Sequence, residues 1–272
     1  MRCAVLGDPI AHSLSPVLHR AGYAAVGLDW TYDAVRVAED DLAPFLAGLD
    51  PQWRGLSLTM PLKRRALALA TRVTDRARLA GGVNTLVLED GAIALADNTD
   101  LPGAVAAVRE RYDGPVTTGT VLGAGATAAS TGLALCELGA TSVRLLARSP
   151  ERAAETVAAI AAHPTSPHVE VLPLAGGAVV GEVLVSTVPA AAQDAGLVAR
   201  CASASVVFEV VYDPWPTPLA ASVGADRTLV GGLDLLVHQA VLQFELFTGR
   251  PGPLAAMREA GERELATRRS AR

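Results

Sequence analysis

The chain has 272 residues, half of them hydrophobic and 19% charged, with a net charge of −5; this suffices for one large domain or two smaller ones and excludes a disordered chain. No basic block stands out before the arginine-rich final residues, which argues against a nucleic-acid surface, and no stretch approaches the length of a membrane span or follows a charged leader. Cys3, Cys136 and Cys201 form no CxxC pair and the five histidines no close-spaced metal set, so the expectation is a cytoplasmic, metal-free protein with free thiols.

Strand and helix patterns alternate from the start. Cys3 to Leu6 reads as a strand closed by Gly7-Asp8-Pro9. The loop from Ile10 carries Ser13 and Ser15, and Ser15-Pro16 is expected to open a helix, serine as cap and proline at the first helical position. Val17, Leu18, Ala21, Ala24 and Ala25 then recur with a helical period. Two hydroxyls beside a helix N-terminus suit an anion, although the residues alone are equally served by capping and turn formation, and that simpler role is preferred at this point. Trp30 to Val37 reads as strand, Asp40 to Leu49 as a short helix, Trp53 to Met60 as a buried strand stopped by Pro61, and Lys63 to Ala70 as another helix. Such a β-α-β-α-β-α order implies a mostly parallel sheet.

Lys63 is the only lysine among 23 lysines and arginines. Arginine stays protonated in a protein, whereas a lysine can release its proton, so the one lysine marks a place where a proton is given and taken. The plainer alternative makes it a surface peer of Arg64 and Arg65. Its position favours the former, because Thr59 and Lys63 lie at the carboxyl end of a strand, where open α/β sheets bind ligands.

Val83 to Asp97 reads as a hairpin around Glu89-Asp90-Gly91. Asn84 and Asn98, the only asparagines, flank its two ends, and each is followed by threonine. They are either turn residues or a pair converging on one ligand, for which an amide's donor and acceptor suit a polyol. Asp100 precedes a helix from Pro102 to Tyr112; it either compensates the helix dipole or sets the protonation of Lys63.

Pro115 to Leu122 reads as a strand running into Gly123-Ala124-Gly125-Ala126-Thr127-Ala128 and a helix that ends near Gly139. Gly-x-Gly-x-x-Ala between strand and helix, with a further strand from Ser142 to Ala147, points to a dinucleotide. Where an NAD enzyme carries an acid, this chain has Arg148-Ser149, with Arg152 one helical turn on. Two arginines suit a 2′-phosphate, which predicts NADP; Ser149-Pro150 also reads as an ordinary helix cap. A helix through Ala162, strands at Val169 to Pro173 and Val183 to Ser186, a helix from about Ala191 to Arg200 and a strand from Ser205 to Tyr212 follow. The turn at Thr187 is placed to receive a nicotinamide. After the proline-rich turn Asp213 to Pro218, a last strand from Thr228 to Gly231 gives way to helices at Asp234 to Phe247 and Leu254 to about Thr267. Gln239, in the first of these, reads by itself as a partly exposed helix position. The expected architecture is α/β with two lobes: a substrate domain from residues 1–103 plus 234–272, and a Rossmann dinucleotide-binding domain from 104–233, the final helices returning to the first lobe.

Taken together, Ser-x-Ser-Pro at Ser13 to Pro16, Leu-Thr-Met-Pro-Leu-Lys at Leu58 to Lys63, Val-Asn-Thr at Val83 to Thr85, Asn-Thr-Asp at Asn98 to Asp100, Gly-x-Gly at Gly123 and Gly125, Tyr-x-Pro at Tyr212 and Leu-Val-x-Gln ending at Gln239 resemble shikimate dehydrogenase over nearly the whole chain. The resemblance implies NADPH-dependent reduction of 3-dehydroshikimate to shikimate in aromatic amino-acid biosynthesis. It implies Ser13 and Ser15 on the substrate carboxylate, Thr59, Asn84, Asp100, Gln239 and Tyr212 on the ring hydroxyls, and Lys63 with Asp100 as the proton-transfer pair. Gly123, Gly125, Ala126, Arg148, Ser149, Arg152 and Thr187 would hold NADP. The partners expected are small molecules, with a homodimer left open. Departures from the family pattern are Ser57 where asparagine is common, Ala126 in place of a third glycine, Ala147-Arg148-Ser149 in place of Asn-Arg-Thr, and Ser186-Thr187-Val188-Pro189 in place of Asn-Ala-Thr-Pro. A quinate or quinate/shikimate dehydrogenase using NAD, and a ligand sensor of the same fold without turnover, stand as the rival readings; some other Rossmann oxidoreductase leaves the serine and asparagine pairs without a role.

Overall fold

The structure, a computed structural model, describes residues 1–271. The chain divides into two compact units, one formed by Met1–Arg78, Gly82–Thr99 and the chain from Leu236 onward, the other by Leu79–Gly81 and Asp100–Leu235. Asp100 thus falls in the second unit, a few residues before the boundary expected from the sequence.

The first unit runs β1 (Arg2–Gly7), α1 (Ser15–Ala25), β2 (Thr31–Arg36), α2 (Leu42–Ala47), β3 (Trp53–Leu58), α3 (Leu62–Leu69), α4 (Asp75–Ala80), β4 (Thr85–Glu89) and β5 (Ala92–Asp97). Its sheet has the order β2-β1-β3-β4-β5, parallel across β2, β1 and β3 and antiparallel across β3, β4 and β5. The β4–β5 hairpin turns at Asp90 and Gly91, both with positive φ, 51° and 78°, the conformation that an Asp-Gly turn requires. Central strands β1 and β3 are buried on both faces, whereas the edge strand β2 is mostly exposed and buries only Tyr32. Leu6, Leu56, Leu58, Leu62 and Leu86 fill one side of the core.

Two C-terminal helices, α10 (Gly232–Thr248) and α11 (Leu254–Ser270), follow the last strand of the second unit. Gly55 explains how α10 reaches β3: a Cβ there would lie 2.2 Å from the Phe247 ring, so only glycine lets that ring seat on the strand. Arg54 Nε donates to the Phe247 carbonyl at 3.1 Å, and α11 packs along α1. The second unit runs α5 (Asp100–Arg111), β6 (Thr118–Leu122), α6 (Ala126–Glu137), β7 (Ser142–Ala147), a tight turn at 150–153 into α7 (Ala154–Ala161), β8 (His168–Pro173), β9 (Val183–Ser186), α8 (Ala195–Arg200), β10 (Val206–Glu209), α9 (Pro218–Ala221) and β11 (Thr228–Val230). All its strands are parallel, in the order β11-β10-β9-β6-β7-β8. This is the doubly wound arrangement, and its direction reverses between β6 and β9, where such sheets open a ligand crevice.

Several local expectations are corrected. Neither Ser15 nor Ser149 makes a side-chain capping bond; α1 begins at Ser15 itself, after Leu14. The helix expected from Ala191 is a 3₁₀ turn at Ala190–Ala192, and α8 starts only after Asp194, whose carboxylate accepts from Leu197 N at 2.7 Å. The six-residue α4 lies in a stretch that the sequence left unassigned. Among the described residues no helix is long and apolar enough to cross a membrane.

Candidate functional site

In the first unit Ser13 and Ser15 come after the carboxyl end of β1, and Thr59 and Lys63 after that of β3, its parallel neighbour. Ser13 Oγ accepts from Ser15 N at 3.3 Å, so the first serine orders the turn and the second is buried beneath it. Thr59 follows β3 directly; its N–H donates to Leu6 O at 2.9 Å and its carbonyl accepts from Leu62 N at 2.9 Å. Lys63 lies in the first turn of α3 and is half-buried. Two backbone bonds tie its segment to the start of the hairpin, Val83 N to Lys63 O at 2.9 Å and Leu58 N to Asn84 O at 2.7 Å.

Asn84 is the hub of this unit. Its Oδ1 accepts from Thr99 N at 2.8 Å and from Thr85 Oγ1 at 2.7 Å, while its Nδ2 donates to Thr99 Oγ1 at 3.0 Å and to Gln239 Oε1 at 3.4 Å. Gln239 is 6% exposed, against the expectation of a partly exposed residue, because α10 turns that face onto the hairpin's open end. Asn98 does something different from Asn84: its Nδ2 donates to Gly82 O at 2.8 Å and pins the loop before Val83. Next to it Asp97, 1% exposed, accepts from Thr74 Oγ1 at 2.6 Å and from both nitrogens of the Arg76 fork. Burial pushes this carboxyl up, but Arg76 and Thr74 together hold it below the usual aspartate range. The ion pair fixes the strand end that carries Asn98 and Thr99.

Sequence reasoning quoted Thr85 and Thr99 within their motifs without giving either threonine a role of its own, and missed Gln243. Gln243 follows Gln239 by four residues and so shares its helix face, a signal open to inspection; its Nε2 donates to Asn84 O at 3.1 Å and Thr85 Oγ1 at 3.0 Å. Also unannounced is His19, fully buried on α1, its ring stacked on Tyr32 with centroids 4.1 Å apart. Neither ring nitrogen meets a hydrogen-bond partner. Burial pushes its pKa down to about 3; the Gln243 amide lies close enough to oppose this but not in bonding geometry.

In the second unit the turn after β6 is set by Gly123, with φ of 113°. A Cβ there would lie 2.2 Å from Thr187 Oγ1, whose hydroxyl donates to Leu122 O at 2.7 Å across the point where the sheet reverses. A Cβ on Gly125 would meet nothing within 4 Å, and α6 starts at the next residue, Ala126, exposing its first N–H groups at that open space. Arg148 and Arg152 are exposed beyond β7, with Ser149 between them. Asp100 is buried in the first turn of α5. Tyr212 is half-buried after β10, where Glu209 anchors the loop: its carboxyl accepts from Gln193 Nε2 at 2.7 Å, Thr217 Oγ1 at 2.9 Å and Val211 N at 3.0 Å. Burial raises the Glu209 pKa, and nothing in the sequence marked that residue. Among the described residues no group of three or more His, Cys, Asp or Glu could hold a metal ion.

Comparison with known proteins bears on both units. The profile of the shikimate dehydrogenase substrate binding domain matches residues 5–86, and that of the shikimate 5′-dehydrogenase C-terminal domain matches residues 232–260. A shikimate dehydrogenase (NADP(+)) of Synechococcus sp. (strain JA-3-3Ab) is 35% identical over 96% of this chain and 93% of its own length. The crystal structure of Mycobacterium tuberculosis shikimate dehydrogenase superposes with a TM-score of 0.87 at 40% identity, covering 96% of this chain and 99% of that one. Shikimate 5-dehydrogenase of Thermus thermophilus, in complex with NADP(H) and shikimate, superposes with a TM-score of 0.81 at 29% identity, covering 97% and 99% of the two chains.

Proposed function

The chain belongs to the shikimate dehydrogenase family, and from that premise we propose that it catalyses the reversible, NADP-dependent interconversion of 3-dehydroshikimate and shikimate in aromatic amino-acid biosynthesis. The observation that carries the reading is the buried Asn84–Thr99–Gln239 set, bound by backbone hydrogen bonds to the segment that bears Thr59 and Lys63. Amides and hydroxyls that offer both donor and acceptor suit a polyhydroxylated ring, and a titratable amine nearby suits a carbinol that gains and loses a proton.

On this reading Ser13 and Ser15 hold the substrate carboxylate, and Thr59, Asn84, Gln239 and Tyr212 hold the ring hydroxyls. Lys63 Nζ delivers a proton to the oxygen of the carbonyl being reduced and takes it back in the reverse direction, with Asp100 as the acid of the pair. NADPH, when bound, supplies the hydride. The second unit fits that cofactor: the open space over Gly125 and the N–H groups of α6 suit a pyrophosphate, and the exposed guanidinium groups of Arg148 and Arg152 suit the 2′-phosphate, with Ser149 adding a hydroxyl. Ala126 lets α6 start close to the turn, and Thr187 borders the nicotinamide. Residues Ser57 and Thr187, which depart from the family pattern, remove none of the groups this chemistry requires. The partners are small molecules, and the compartment is the cytoplasm.

Incubating the purified chain with shikimate and NADP⁺ at neutral to alkaline pH tests the proposal. Shikimate-dependent appearance of NADPH absorbance is the expected outcome; shikimate binding without any absorbance change would replace the enzyme by a sensor of the same ligand.

A further inference from the structure

Ser57 lies on β3, and the structure shows what surrounds it. Tyr32, fully buried on β2, donates its phenol hydroxyl to Ser57 Oγ at 2.5 Å. Ser57 donates onward to Gln243 Oε1 at 2.6 Å. With its oxygen so engaged, Gln243 must present Nε2 to Asn84 O and Thr85 Oγ1. Thr85 already accepts from Gln243, so its own proton goes to Asn84 Oδ1. Asn84 Nδ2 then faces Thr99 and Gln239. Asn84 Oδ1 also accepts from Thr99 N at 2.8 Å and Gln243 Nε2 meets the Asn84 carbonyl, so backbone groups and the hydroxyl series agree on one orientation of both amides, and a flip of either would set like atoms against each other. Ser57, Gln243 and Asn84 are each at most 4% exposed, so water is excluded as a substitute partner along most of the path. Ser15 also borders the same phenol.

We propose that Tyr32 and Ser57 act as one positioning unit: through Gln243 and Thr85, and together with the Thr99 N–H, they brace the Asn84 amide, and with it set the affinity of the substrate-hydroxyl site. Tyr32 touches no substrate itself. The inference rests on the function proposed above and assigns that site two residues that it lacked.

The test compares Tyr32→Phe, Ser57→Ala, the double variant, and Tyr32→Phe combined with Ser57→Asn, by calorimetric shikimate binding and by steady-state kinetics. Tyr32→Phe keeps the ring stacked on His19 and removes only the hydroxyl. The expected result is shikimate Kd and KM both raised by about 3- to 10-fold, the size of one neutral hydrogen bond, with kcat and the KM for NADP⁺ unchanged. The double variant should be no worse than the weaker single one, and Ser57→Asn in the Tyr32→Phe background should restore shikimate affinity, because an amide N–H has a fixed direction toward Gln243, whereas a serine hydroxyl rotates once the phenol no longer directs it. Unaltered shikimate Kd and KM in Tyr32→Phe overturn the inference. So do losses that simply add, or a parallel rise in the KM for NADP⁺, which marks general loosening. If the unaltered chain binds no shikimate, the functional reading fails and this one with it; if it binds and turns shikimate over while Tyr32→Phe matches it, only this inference fails.

Discussion

The two units hold their candidate groups by different means. In the second unit the backbone does it: Gly123 makes the turn, Gly125 leaves space above it, α6 presents N–H groups, and the two arginines stand exposed. In the first unit side chains do it: Asn84, Thr85, Thr99, Gln239 and Gln243 bond to one another away from water, braced by the Asp97–Arg76 pair. A backbone cradle is encoded by a few adjacent residues and tolerates change around it. A buried polar network is committed as a whole, because a lost partner leaves another group unsatisfied. Substitutions should therefore act locally in the second unit and spread in the first.

The largest effect belongs to Lys63. Lys63→Ala should lower kcat by roughly 10²–10⁴-fold, the range for losing a general acid–base, while calorimetry still finds shikimate bound; an unchanged kcat removes Lys63 from the chemistry. Arg76→Ala should spread through the first unit: it leaves the Asp97 carboxylate buried and unpaired, and since Arg76 is itself partly exposed the loss in urea-unfolding stability should be about 2–3 kcal/mol. Loss below about half a kcal/mol, the scale of an exposed pair, would mean that the strand end is held by its backbone alone. In the second unit Arg148→Ala should act locally, raising the KM for NADP⁺ by about 10-fold or more and leaving that for NAD⁺ in place. Equal changes for both cofactors would show that Arg148 does not reach the 2′-phosphate.

The smallest effect, read over the single pH unit between about 6 and 5, is a pH slope. The pKa of His19 is about 3 in the folded chain and about 6.5 when unfolded, so the unfolded state takes up the proton first. Stability is complete above the unfolded value and falls as the pH drops from about 6.5 toward 3, by at most about 1.4 kcal/mol per pH unit. Asp97, whose pKa is depressed, adds to this only below about pH 4. His19→Leu should flatten the slope between about pH 6 and 5 in denaturant titrations, since Glu209, whose raised pKa acts in the opposite direction, is common to both chains; an unchanged slope assigns it elsewhere.

The same contrast explains what could be read from the sequence. The alternation of strands and helices, the Asp-Gly hairpin and the Gly-x-Gly-x-x-Ala turn are local patterns, and the structure carries all three. Gln239 looked ordinary because the partners that bury it, Asn84 and Thr99, lie 155 and 140 residues away. Tyr32, Ser57 and Gln243 were invisible as a set for the same reason: a hydrogen bond between β2 and β3, and another from β3 to α10, leave no periodic trace. Helix α4 escaped notice because six residues cannot show a helical period, and Glu209 because a buried carboxyl in a short apolar strand has no sequence signature. Ser15 and Ser149 matched a capping pattern whose hydrogen bond the structure does not make.

The most direct measurement is the kcat/KM of the unaltered chain for four pairings, shikimate or quinate with NADP⁺ or NAD⁺, followed by nicotinamide absorbance. The expected result is that shikimate with NADP⁺ dominates, since the proposed reading assigns the first unit's amides to the substrate ring and the second unit's arginines to the 2′-phosphate. Preferential turnover of quinate with NAD⁺ would contradict both assignments at once and leave Arg148 and Arg152 without a ligand.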